Sequence, residues 1–152
     1  MTTPISQEKL QEIFNQITQE VTEQVAGIRL YLAPITPGED ICTVHADFHS
    51  GFDFGLSMCA DVALFTRLTQ YMMQQEEIEH QDLEDFTKEY FNVLCGHIAA
   101  GLFQTTKVAA RFGVPSFHAG RYQPDDTSEQ ITLSYASDQN ESVQLTHNLA
   151  VR

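Results

Sequence analysis

The sequence predicts an α+β fold: a mostly antiparallel sheet of about six strands, with two long helices covering one face. Three observations lead there. Two stretches, Ser6 to Val25 and Asp82 to Lys107, place apolar residues at helical spacings of three and four. Several shorter stretches alternate apolar and polar residues, the period of a half-buried strand. The two helical stretches also share sequence in register. LQEIFNQI at Leu10 to Ile17 and TKEYFNVL at Thr87 to Leu94 align Glu12, Phe14 and Asn15 with Glu89, Phe91 and Asn92. Each copy opens a string of helix, strand, connection and hairpin, which indicates a duplicated unit. With 152 residues, the whole chain (1–152) is expected to form one domain.

The elements follow in order. Ser6 caps the first helix, Leu10, Ile13, Phe14, Ile17, Val21 and Val25 form its apolar face, and Gly27 ends it. Ile28 to Ile35 reads as a strand closed by Pro34 and the turn Thr36 to Asp40. In Ile41 to His49, Cys42, Val44, Ala46 and Phe48 alternate with Thr43, His45, Asp47 and His49. After a Ser50-Gly51 turn, Phe52 to Met58 alternates in the same way and completes a hairpin. Ala60 to Gln74 is a shorter helix, followed by the charged connector Gln75 to His80. Asp82 is the expected N-cap of the second long helix, whose apolar stripe reads Leu83, Phe86, Tyr90, Val93, Leu94, His97 and Gly101, widened by Ile98 and Leu102. Turn-prone Gly113, Pro115 and Gly120 and the loop Gln123 to Glu129 come next. Two strands close the chain, alternating at Ile131, Leu133 and Tyr135 and at Val143, Leu145, His147, Leu149 and Val151.

Composition excludes several classes of function. A formal net charge of -13 leaves no basic surface for neutralising phosphates, so nucleic acid is not an expected partner. Cys42, Cys59 and Cys95 have no CxxC spacing and sit in apolar runs, which reads as buried thiols. No apolar run approaches the roughly 20 residues of a membrane span. The N-terminus has no basic and apolar regions of a signal peptide, and the expected location is cytoplasmic.

The candidate site lies on the second long helix. Opposite its apolar stripe run Asp85, Glu89, Asn92, Gly96 and Ala99. Asn and Gly weaken a helix interior, Gly by about 1 kcal/mol relative to Ala. Gly96 does leave room for another backbone to approach the helix closely. Taken alone, E-x-x-N spacing is common on solvated helix faces. The internal copy and the glycine one turn on give it weight.

EYFNVLCGHIAAGLF resembles the signature of the CheC/CheX/FliY chemotaxis phosphatases, in which E-x-x-N is followed by Gly four residues after the Asn, here Glu89, Asn92 and Gly96. TVHADFHSGFDFGLSM resembles that family's central hairpin, and ALFTRLTQYMM the short helix after it. The resemblance runs from about Gly27 to Val151 and fits a CheX-like single-domain member. It implies a CheC-like fold, a pseudo-twofold duplication, and a hydrolase acting on the aspartyl-phosphate of a CheY-type response regulator in two-component signalling. On that reading Asn92 orients the attacking water and Glu89 pairs with a lysine of the regulator. Asp85 and Gly96 belong to the docking face. The chain binds no cofactor itself, and the Mg2+ belongs to the partner. Such chemistry needs positioning more than covalent participation, and a carboxamide can both donate to and accept from a water. The resemblance also implies a homodimer, with Ser142 to Val151 as the natural contributor.

Glu12 and Asn15 form a possible degenerate second site, because Gln19 stands where the glycine would be. The alternative to catalysis is a non-catalytic CheX-like module that binds a response regulator or a flagellar-switch protein. A weaker possibility is a metal site on the strand face of His45, Asp47 and His49, but neighbouring same-face residues lie roughly 7 Å apart, awkward for one ion. His147 is expected to be a hydrogen-bonded core or interface histidine.

Overall fold

Alternating apolar side chains unite the strands into one sheet, and the helices cover the face those side chains share. The computed structural model describes residues 5–122 and 130–147. In chain order the elements are α1 (Gln7–Ala26), β1 (Leu30–Leu32), β2 (Ile41–His49), β3 (Phe54–Asp61), α2 (Val62–Met73), α3 (His80–Thr106), β4 (Arg111–Phe112), β5 (Ser116–Ala119), β6 (Ile131–Ser137) and β7 (Ser142–His147).

The sheet has seven strands in the order β1-β6-β7-β3-β2-β4, with β5 also on β2. Every pairing is antiparallel. The seventh strand arises because the return after α3 lies along the edge of β2, pairing Phe112 with Phe48 and Phe117 with Val44. Pro115 has no N–H to give the ladder and separates β4 from β5. The order is symmetric under exchange of the two halves: β1 maps to β5, β6 to β2 and β7 to β3. Each half lends its first strand to the hairpin of the other, as the duplicated sequence leads one to expect.

Ser6 caps α1, its Oγ accepting from the Lys9 N–H at 3.1 Å, and Gly27 ends the helix at φ 66°. Several boundaries differ from expectation. Ala60 and Asp61 belong to β3, and α2 starts two residues later than expected, at Val62, because the Asp61 carboxylate is engaged by the N–H groups of Gly38 and Ser142. Only Leu30–Leu32 of the expected first strand pairs, against β6. The N-cap of α3 is Glu79, not Asp82. Asp82 is its reciprocal partner, accepting from the Glu79 N–H at 2.9 Å in a capping box. β7 is paired on both edges within the chain, to β3 and β6. Leu149, Val151 and the loop Gln123 to Glu129 lie outside the described residues. Cys42, Cys59 and Cys95 are free and buried.

The two long helices run antiparallel, Tyr90 beside Thr22 and Gly101 beside Ile13 and Ile17. Gly101 is the point of closest approach, where a Cβ would lie 2.6 Å from Ile17 Cδ1. Phe14 and Phe91, equivalent in the two copies, are both fully buried.

Candidate functional site

The orientation of α3 follows from what it buries. Leu83, Thr87, Tyr90, Phe91, Leu94, Cys95, Ile98 and Leu102 face the core. The expected inner position of His97 is wrong: Ile98 takes that place, and His97 is exposed. Tyr90 and Phe91, which stand between Glu89 and Asn92 in sequence, are among the most deeply buried side chains. The Tyr90 hydroxyl shares a 2.6 Å hydrogen bond with Thr22 Oγ1 on α1, and lies 3.8 Å from Met58 Sδ on β3. Burial pushes the Tyr90 phenol up, with the Thr22 bond opposing, so it stays protonated. This buried polar pair is satisfied across the α1–α3 interface and adds to the apolar packing that fixes the rotation of α3.

With that rotation, Asp85, Glu89 and Asn92 are exposed, and Gly96 and Ala99 half-buried, along one outward stripe. At 100° per residue these positions, and Phe103 beyond them, fall within an arc of about 80°. Asp85 accepts from Gln81 Nε2 at 2.9 Å. Among the described residues, the side chains of Glu89 and Asn92 have no hydrogen-bond or ion-pair partner. At Gly96 an added Cβ would fit without a clash, coming into ordinary contact with Phe112 Cζ at 3.9 Å. The stripe therefore offers a free carboxylate and a free carboxamide on a rigid helix, with a position bare of any side chain one turn on. It can accept and donate hydrogen bonds to a docked surface and orient a water there.

The second copy is arranged differently. Glu12 is exposed and lies 3.7 Å from Lys9 Nζ. Asn15, expected opposite the apolar face, is half-buried, and its Oδ1 accepts from the hydroxyl of fully buried Tyr135 at 2.9 Å. Gln19, at the glycine position, donates to the Leu30 carbonyl at 3.0 Å. On α1 the equivalents of Asn92 and Gly96 thus tie the helix to the sheet.

The open face of the sheet carries the remaining candidates. His45 is buried and bridges Asp47 Oδ1, at 2.9 Å, and Ser57 Oγ across the strand pair. His49 points instead to Ser50 Oγ. Among the described residues no group of three His, Cys, Asp or Glu could hold a metal ion. His147 is core but not hydrogen-bonded. It is fully buried edge-on to Phe14, ring centroids 4.5 Å apart, and neither ring nitrogen has a partner. Desolvation lowers its pKa from 6.5 to about 4.

The residue that sequence reasoning missed is Phe103. It continues the series 92, 96, 99 at helical spacing, and 46% of its surface is exposed. The available signal was a large apolar residue in the polar stripe.

Comparison with solved structures bears on the fold. CheX from Desulfovibrio desulfuricans superposes with a TM-score of 0.76 at 17% identity, over 93% of this chain and 99% of that one. The chain has the CheX fold. CheX from Vibrio vulnificus gives a TM-score of 0.78 at 14% identity, covering 97% of this chain and all of the other. The CheX chain in a complex of CheX, CheY, BeF3 and Mg2+ from Borrelia burgdorferi gives 0.72 at 11%, covering 93% and 98%. No family model and no curated protein matches the sequence. Identities this low speak for the architecture alone. In the CheX fold described here, the duplicated helices lie on one face of the sheet, and the Glu89–Asn92 stripe points away from it. No helix among the described residues is long and apolar enough to cross a membrane.

Proposed function

We propose that this protein is a phosphatase of phosphorylated response regulators, hydrolysing the aspartyl-phosphate of a CheY-type receiver in chemotaxis or a related two-component pathway. One observation carries the reading: Glu89 and Asn92 stand free on the outward face of α3, one turn from the side-chain-free Gly96, while on α1 Asn15 and Gln19 are tied to the sheet. A CheX chain of the same fold is found in complex with CheY, which supports a receiver as the partner class.

The mechanism follows from the chemistry of the groups. The receiver supplies the acyl phosphate and its Mg2+. Asn92 enters beside the phosphoryl group and holds a water in line, accepting from it through Oδ1 and donating through Nδ2. The water's oxygen attacks phosphorus, the acyl oxygen of the receiver's aspartate leaves as carboxylate, and inorganic phosphate departs. Glu89 would add negative charge if it faced an already anionic phosphoryl group. It acts as a docking contact to a receiver lysine. Asp85 extends the acidic docking face, and Gly96 lets a receiver loop reach helix-backbone level. The protein works in the cytoplasm, as a homodimer.

The experiment measures decay of phosphorylated receivers from the same organism. Asn92→Ala is expected to lose about 100-fold or more in maximal rate with affinity within roughly twofold. Glu89→Ala is expected to weaken affinity about three- to tenfold with less effect on the rate at saturation. Binding without accelerated decay by the wild type would replace catalysis with the reading of a non-catalytic module for a receiver or flagellar-switch protein.

A further inference from the structure

Phe103 is the one large apolar side chain on the outward stripe of α3. It lies two turns beyond Gly96, 46% exposed, with Lys107 Nζ 5.9 Å from its ring centroid. A second exposed apolar residue lies beside the same helix. The segment leading from β4 into β5 places Phe112 against Gly96 and Phe117 6.5 Å from His80, the first residue of α3. It therefore runs alongside α3, and Val114, between those contacts, is 91% exposed. Exposed single apolar residues are ordinary. Here two of the five exposed large apolar side chains among the described residues lie beside one polar stripe whose free groups already point to a partner.

The polar groups cannot hold a complex by themselves. A solvent-exposed carboxylate–lysine pair contributes little net affinity, and Asn92 must reach into the partner's reacting centre. Stable recognition of this size normally rests on a few apolar anchors beside such a centre. A helix rise of 1.5 Å per residue puts Phe103 about 16 Å from Asn92, inside the footprint of one ordinary interface of about 800 Å2 per partner. We propose that Phe103, with Val114 beside the helix, is the apolar anchor by which this face holds a phosphorylated receiver domain, a surface apolar patch on the receiver lying about 16 Å from its phosphoryl group. This rests on the reading of α3 as the receiver-docking face. A second copy of this chain is the less fitting occupant. Between Asp85 and Phe103 the stripe carries two carboxylates and no cation, so two such stripes repel.

The test uses the full chain and CheY-type receivers from the same organism, activated with Mg2+ and beryllofluoride for binding and charged with acetyl phosphate for turnover. Phe103→Ala is expected to weaken binding about tenfold or more, with the rate at saturation within twofold of wild type and an unchanged thermal midpoint. Phe103→Leu is expected to recover most of the affinity, and Val114→Ser to weaken it by less than Phe103→Ala. Wild type that binds, with Phe103→Ala binding equally well, overturns the anchor alone. A fall in the saturated rate without loss of affinity also overturns it. A wild-type dimer that Phe103→Ala converts to monomer, measured by light scattering, assigns the face to self-association and overturns it as well. Wild type that binds no receiver removes the functional reading itself, and the anchor with it.

Discussion

His147 makes the stability of this protein depend on pH in a calculable way. Its ring is fully buried between β7 and α1, edge-on to Phe14, and its cross-strand neighbours are Leu56 and Ile131. None of these carries a charge that could hold an imidazolium. The folded pKa is about 4 against 6.5 for the free side chain, so the unfolded chain binds the proton first. A depressed folded pKa means a contribution present above 6.5 and lost as pH falls toward 4. Linkage gives a loss of about 1.4 kcal/mol at about pH 5.5 and about 3 kcal/mol at about pH 4. His147→Leu removes the titrating group while keeping an apolar side chain in the site. Urea unfolding of both proteins across that pH range isolates the effect, because carboxylates common to both cancel in the difference. Wild type should lose stability relative to His147→Leu by those amounts. Parallel stability profiles, or an imidazole titrating near 6.5 in the folded protein by NMR, would refute the reasoning.

Two further perturbations separate site from scaffold. Gly96→Ala should fold with up to about 1 kcal/mol more stability, because the added methyl meets nothing closer than 3.9 Å, yet weaken receiver binding by filling the clearance. Gly101→Ala should instead lose about 1 kcal/mol in denaturant unfolding, because its methyl would lie 2.6 Å from Ile17 Cδ1; equal stabilisation by the two changes would mean that α1 yields there. Glu12→Ala with Asn15→Ala should leave receiver dephosphorylation within twofold and lower stability by about 1 kcal/mol, through loss of the Tyr135–Asn15 hydrogen bond. A marked loss of activity would show a second working site.

Much of the architecture was legible because it rests on local periodicity. Alternation in β2, β3, β6 and β7 told which face is apolar, and the matching stretches around Phe14 and Phe91 told that the unit is duplicated. Strand β4 was not legible, because its two residues acquire their identity from the edge of β2. The start of α3 was misplaced by three residues, because Glu79 and Asp82 form one reciprocal cap and either alone looks sufficient. His97 was included on the inner stripe beside Ile98, but at 100° per residue it sits at the stripe's edge and ends exposed while Ile98 is buried.

By itself the sequence determined that a free-standing E-x-x-N-x-x-x-G stripe could exist on a helix, since spacing alone places Glu89, Asn92 and Gly96 on one face. It also marked Glu12 and Asn15 as a degenerate copy, with Gln19 in place of the glycine. Only tertiary structure showed what each stripe meets. Tyr135 and Leu30, brought by the sheet beneath α1, engage Asn15 and Gln19, while the buried face of α3 and the Thr22–Tyr90 bond within it leave Glu89 and Asn92 facing solvent. Local spacing fixes which side chains share a face, and long-range packing fixes which way that face points and what is left to meet it.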